Sequence, residues 1–102
     1  MDMEDLQSNA ARASALLKSM SNEWRLLILC HLVKGEKSVG QLEDLIGLSQ
    51  SALSQHLAIL RREKLVKTRR EAQSIFYSLS SAEAIAVMNT LYTLYCNHPE
   101  EC

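Results

Sequence analysis

The residues best suited to reading another molecule lie in one stretch, residues 48–62, LSQSALSQHLAILRR. Ser49 suits a helix N-cap, because its hydroxyl accepts from an otherwise unpaired N–H of the first turn. Leu53, Leu57 and Leu60 then recur at i, i+4 and i+7 and make one apolar stripe. Ser51, Ser54, Gln55, Ala58 and Arg62 fall on the opposite side, and Gln50, His56 and Arg61 border them. That outer face is small and uncharged over its first half and turns cationic only at its end, whereas an ordinary surface helix mixes Glu with Lys. Amides and hydroxyls so placed reach base edges in a major groove, and guanidiniums reach phosphates. A helix that is merely polar satisfies the same pattern, so its neighbours must decide.

The next stretch supplies charge. Residues 61–70, RREKLVKTRR, hold six of the eleven basic residues against the single acid Glu63, a local charge of +5 in a chain whose net charge is −1. Taken alone, such a run is often just a solvated face. Directly behind a Gln/Ser helix it is an electrostatic footprint for phosphate. The remaining reactive side chains are three thiols, Cys30, Cys96 and Cys102. An odd count argues against a secreted disulfide framework. A lone cysteine in an aliphatic helix such as LLILC most often serves as a small core hydrophobe, and the residues themselves do not separate that role from a reactive one.

These groups need elements to position them. At 102 residues, 47% of them hydrophobic but only 5% aromatic, the chain is expected to form one domain (1–102) with an aliphatic core. Three Gly and one Pro leave little room for long loops, so it reads as mainly helical. Residues 4–20 carry a stripe of Leu6, Ala10, Ala13, Leu17 and Met20, with Leu16 beside it. Residues 23–34, capped by Ser21 or Asn22, are apolar nearly all round and should lie centrally, with Gly35 just past their end. Ser38 and Gln41 have capping-box form and open a short helix reaching about Ile46, with Val39, Leu42, Leu45 and Ile46 inward. Gly47 ends it and Ser49 begins the next. Two such helices joined by a short turn containing Gly form a helix-turn-helix, spanning residues 38–63.

From residue 65 the pattern changes. Val66, Thr68, Ile75, Phe76, Tyr77 and Leu79 are strand formers, and Ile75, Tyr77 and Leu79 alternate around Ser74 and Ser78. Residues 65–80 are therefore expected to form a β-hairpin wing, with Lys67, Arg69, Arg70 and Gln73 along the DNA backbone or in the minor groove. Ser80 and Glu83 have capping-box form and open a last helix, 81–96. It carries two apolar stripes, Ile85, Met88, Tyr92 and Tyr95 beside Ala84, Val87, Leu91 and Leu94. The first and last helices hold more apolar surface than a core of this size needs. They are expected to pair across a two-fold axis, which sets two recognition helices one DNA turn, about 34–36 Å, apart.

The order α-α-α-α-β-β-α, with SVGQLEDLIGLSQSALSQHLAILRREKLV and the wing TRREAQSIFYSLS, resembles the ArsR/SmtB family of winged helix-turn-helix transcriptional regulators over roughly residues 10–97. Within it, the chain is most similar to the HlyU, BigR, SqrR and YgaV-like group. The resemblance implies a homodimer on an imperfect palindrome of double-stranded DNA, with operator affinity altered by chemistry at a sensory site. Metal-sensing members carry Cys-Val-Cys on the first helix of the helix-turn-helix, where this chain has VGQLEDLIG. Others carry His and Glu on the last helix, where it has EAIAVMNTLYTLYC. Cys30 and Cys96 match the pair that in the dithiol group responds to oxidants or sulfane sulfur. The resemblance thus implies a reversible bridge between them, as a disulfide or a longer polysulfide, and no cofactor. Cys96, His98 and Cys102 offer an alternative, zinc-like ligand set. His31 and His56 read as core or rim residues, with His56 orienting the recognition helix or touching a phosphate.

Other classes have little support. There is no C-x-x-C, since Cys30 is followed by His31, Leu32 and Val33, and no Gly-rich phosphate loop, so an enzyme is not expected. No apolar run reaches the roughly 18 residues of a membrane span. The acidic start MDMEDLQSNA has no signal-peptide core, and a cytoplasmic setting with reduced thiols is expected.

Overall fold

The structure, a computed structural model, describes residues 2–96. It runs α1 (Met3–Met20), α2 (Glu23–Val33), β1 (Lys37–Ser38), α3 (Val39–Ile46), α4 (Gln50–Arg62), β2 (Val66–Glu71), β3 (Ser74–Leu79) and α5 (Ala82–Tyr95). This is a mainly helical winged helix-turn-helix, as the sequence predicts. No described helix is long and apolar enough to cross a membrane.

Side-chain caps set most helix starts. Asn22 accepts from the backbone N–H groups of Trp24 and Arg25 at 2.9 and 3.1 Å. The predicted capping box is present: Gln41 N–H donates to Ser38 Oγ at 3.1 Å, and Ser38 N–H donates to Gln41 Oε1 at 2.8 Å. Ser49 accepts from Ala52 N–H at 3.2 Å. At α5 the cap sits one residue later than expected. Ser81 accepts from Ala84 N–H at 3.0 Å, while the Ser80 hydroxyl donates to the Lys64 carbonyl at 3.0 Å. Ser80 is spent on closing the wing against the end of α4.

The expected hairpin is present as β2 and β3, and a third strand, β1, adds to it, giving the order β1-β3-β2, antiparallel throughout. β1 is only two residues long, and a strand that short shows no alternation for sequence reasoning to find. The β2–β3 turn places Ala72 at φ +56°, a conformation normally signalled by Gly or Asn.

The core lies between α2 and α4. Ile28, Leu29, Leu42, Leu53, Leu57, Leu60 and Met88 are fully buried. The α4 stripe is buried as predicted, and α2 sits centrally with Leu27 at its edge. One expectation fails, and the terminal helices keep apolar surface uncovered, as expected. Leu45 is 51% exposed, because α3 is amphipathic and Leu45 lies off its buried side. Along α1 only Ser19 and Met20 are buried, and Leu6 and Leu17 are exposed. On α5 the buried residues, Ala84 and Met88, come one from each predicted stripe, leaving Ile85, Leu94 and Tyr95 exposed.

Candidate nucleic-acid interface and thiol site

The α3–α4 turn presents the candidate face. Gly47, at φ +84°, ends α3 and donates its N–H to the Glu43 carbonyl at 2.9 Å. Leu48 packs against the core, and Ser49 restarts the chain. With Leu53, Leu57 and Leu60 locked inside, the helix has no freedom about its axis. Gln50, Ser51, Ser54, Gln55, Ala58, Arg61 and Arg62 are all exposed. Ser54, Ala58, Arg61 and Arg62 line a groove of about 450 Å³ whose far wall is Tyr77 of β3. The sequence gives no warning of Tyr77's place there, because its alternation with Ile75 and Leu79 reads as core packing. Arg62 makes only an exposed contact, its Nε donating to Glu63 Oε1 at 3.3 Å.

His56 is half-buried at the rim, with its Nδ1 3.4 Å from Arg25 Nη1. Arginine only donates, so Nδ1 accepts and the neutral ring carries its proton on Nε2. Burial and the nearby guanidinium both hold the His56 pKa below its ordinary value. Arg25 also donates to the Ser19 carbonyl at 2.6 Å and to the Lys18 carbonyl at 3.4 Å. One guanidinium thus joins the end of α1 to α4.

The wing does not gather its cations on one face. Strand alternation sets Lys67 and Arg69 on one side and Arg70 on the other, beside Ile75 and Tyr77. Lys67 and Arg70 enter no ion pair among the described residues, and Gln73 is exposed at the turn. Arg69 is held differently. Its Nη2 and Nε contact the two Glu36 carboxylate oxygens at 2.7 and 3.1 Å, and its Nη1 contacts Glu71 Oε2 at 2.6 Å. The guanidinium also lies 4.7 Å from the Phe76 ring centroid. These acids push the Arg69 pKa up, and the guanidinium pulls the Glu36 carboxyl down.

Cys30 and Cys96 line a common apolar cavity of about 210 Å³ between α2 and α5, together with Leu26, Met88, Leu91, Tyr92 and Tyr95. The Tyr92 hydroxyl donates to the Cys30 carbonyl at 3.1 Å. Burial raises the Cys30 pKa, partly offset by the Tyr92 hydrogen bond and by Lys34. The thiol is therefore accessible but not activated. Cys30 is free, whereas Cys96 is disulfide-bonded, so the two are not joined to each other. His98 and Cys102 of the alternative metal set lie outside the described residues. Among the described residues no cluster of three metal-ligating side chains exists.

Comparison with known proteins agrees with this geometry. Residues 22–68 match the family described as bacterial regulatory protein, arsR family. The chain is 55% identical over 96 residues to the transcriptional activator HlyU of Vibrio cholerae, covering 94% of this chain and 89% of that protein. It is 44% identical over 101 residues to the biofilm growth-associated repressor of Xylella fastidiosa, covering 99% and 89%. Its fold superposes on the reduced HlyU of Vibrio cholerae N16961 with a TM-score of 0.89 at 55% identity, covering 93% of this chain and 100% of the other.

Proposed function

The chain belongs to the arsR family of bacterial regulatory proteins, DNA-binding transcriptional regulators rather than enzymes, and from that premise we propose that it reads an operator with α4 and is switched through Cys30 and Cys96. One observation carries the DNA half. Ser51, Ser54 and Gln55 stand exposed on a helix whose other side is buried, with Arg61 and Arg62 at its end. In this reading Gln50, Ser51, Ser54 and Gln55 face base edges, while Arg61, Arg62, Arg70 and Gln73 face the DNA backbone and Lys67, on the other face of β2, does not. His56 acts from the rim by orienting α4. Two similar proteins are named an activator and a repressor, so the sign of regulation belongs to the promoter and not to this surface.

The switch reading rests on the shared cavity, which gives both sulfurs one space between α2 and α5. In the reduced chain, joining the thiols as a disulfide releases two electrons and two protons, which a peroxide accepts as it becomes water. A low-molecular persulfide reaches the same product in two balanced steps. It transfers a sulfur atom to Cys30 and leaves as its thiol, and Cys96 then displaces hydrogen sulfide from the Cys30 persulfide. Either link ties α5 to the core helix and shifts the recognition helices of a dimer. Exposed Leu6 and Leu17 on α1, and Ile85, Leu94 and Tyr95 on α5, support pairing of these helices in a homodimer.

The test begins with the reduced chain selecting sites from a random duplex library. Selected duplexes should bind at least about 10³-fold tighter than random ones at physiological salt. Peroxide or glutathione persulfide should then change that affinity, and Cys30→Ser or Cys96→Ser should abolish the change. Equal binding to selected and random duplexes removes the DNA reading. An unchanged response in both serine variants removes the switch.

A further inference from the structure

We infer that Arg69 positions the wing and does not contact the DNA backbone. The inference rests on the DNA-binding reading above. The guanidinium is gripped by both oxygens of Glu36 and one of Glu71, and packs on Phe76. Arg69 has five donor hydrogens in a fixed fork. Three of its contacts go to carboxylates, and two neighbouring acids leave the trio with a net negative charge. Such a group is a poor partner for phosphate. Its direction is also wrong: Arg69 shares its strand face with Lys67 and Phe76, while the groove beside α4 is walled by Tyr77 on the opposite face.

The grip has a mechanical consequence. Glu36 lies in the connection between α2 and β1, and Arg69 lies in the middle of β2. The sheet order is β1-β3-β2, so β2 is not hydrogen-bonded to β1. Arg69 therefore reaches across Phe76 of the central strand and ties the outer strand to the connection that leaves α2. This fixes the tilt of the wing relative to the core helix, and with it the approach of Arg70 and Gln73.

The test compares variants of the full-length reduced chain on one selected duplex over a salt series. Arg70→Gln should lower the slope of log affinity against log salt by about 0.9, the signature of one lost phosphate contact. Arg69→Gln should leave the slope unchanged and weaken binding about threefold to fivefold, the scale of an exposed ion-pair network. Arg69→Lys, which keeps the charge but loses the fork, should behave like Arg69→Gln. Glu36→Gln separates the possibilities by sign. A clamp predicts weaker binding, whereas freeing a phosphate contact predicts tighter binding. Hydrogen exchange without DNA gives an independent readout, with faster exchange of the β2 amides expected in both Arg69→Gln and Glu36→Gln. The inference is overturned if Arg69→Gln lowers the slope by about one, or if Glu36→Gln tightens binding. If the unaltered chain shows no salt-dependent binding at all, the DNA-binding premise fails and takes the inference with it.

Discussion

The Tyr92 hydroxyl of α5 donates to the carbonyl of Cys30 in the last turn of α2, 3.1 Å away. That carbonyl belongs to the helix end, where no following turn supplies donors, and the Lys34 N–H goes instead to His31 and Leu32. Tyr92 thus fills an orphan acceptor and seats α5 beside the thiol. It also opposes the rise that burial imposes on the Cys30 pKa. Because that pKa is raised, neutral thiol dominates at pH 7, and alkylation of the reduced chain should accelerate as pH climbs through the thiolate range. Tyr92→Phe should displace the curve to higher pH and slow alkylation a few-fold at fixed pH, followed at Cys30 by mass spectrometry. An unmoved curve would show that Tyr92 does not act on the sulfur.

Gly47 allows a sharper stability prediction. A Cβ added there would meet nothing within 4 Å, so packing imposes no cost, and only the backbone at φ +84° resists a side chain. Gly47→Ala should destabilise by about 1–2 kcal/mol, the cost of a left-handed L-residue. Thermal melts at fixed protein concentration would show it. Gly40→Ala, at a helical position with only the Ser38 hydroxyl 3.9 Å away, should be neutral or stabilising. Equal melting losses in the two variants would contradict the backbone argument.

Local rules made most of the helix-turn-helix legible. Ser38, Gln41, Gly47 and Ser49 are punctuation with fixed chemistry, and the stripe Leu53, Leu57, Leu60 has one buried solution. What escaped were features set by distant partners. Pairing of Lys37 with Tyr77 joins residues with no local signal. Arg69 reads as one more cation in a basic run until Glu36, 33 positions earlier, is seen beside it. The terminal helices were hardest, because an apolar stripe does not say whether its cover comes from the same chain. On α1, Met20 packs into the core while Leu6 and Leu17 do not.

His56 predicts an acid-sensitive domain. Its folded pKa lies below the ordinary value, so the unfolded chain takes up the proton first as pH falls. The His56 share of stability should be flat above neutrality and decline as pH drops through about 6.5 toward the lower folded value. The protonated ring loses its acceptor and meets the Arg25 guanidinium. His31 is shifted the same way, by burial and by Lys34 and Lys37, so the total decline has at least two sources. His56→Gln keeps an acceptor near Arg25 without a titrating group and should flatten part of the slope. Denaturant midpoints across this range, in both proteins, isolate the His56 share by difference. Parallel curves would mean His56 contributes nothing.

If α1 and α5 pair between copies, charge on their exposed apolar face should separate them. Leu94 is 67% exposed on α5 and is not part of the buried core, so Leu94→Glu should disturb the monomer's packing little. Sedimentation velocity should show the unaltered chain as a dimer and the variant as a folded monomer, with near-unchanged helix content by circular dichroism. Operator affinity should fall steeply, because two half-sites are then no longer held by one particle. A variant that stays dimeric would move the interface away from α5.

The division of labour on α4 can be tested by asking how each loss is distributed over sequences. Gln55 is exposed on the uncharged part of the face, where the proposed reading pairs its amide with a base edge. Gln55→Ala should cost about 1–3 kcal/mol against the selected duplex and little against random DNA, so that the difference between them shrinks. Arg61 lies at the end of the helix, in the groove with Ser54 and Arg62. Arg61→Gln should weaken binding to selected and random duplexes alike and lower the salt slope by about 0.9. The double variant should lose the sum of the two, since one side chain sorts bases and the other neutralises charge. If Gln55→Ala weakened both duplexes equally, the amide would be one more backbone contact, and the sorting would have to come from Ser51 and Ser54.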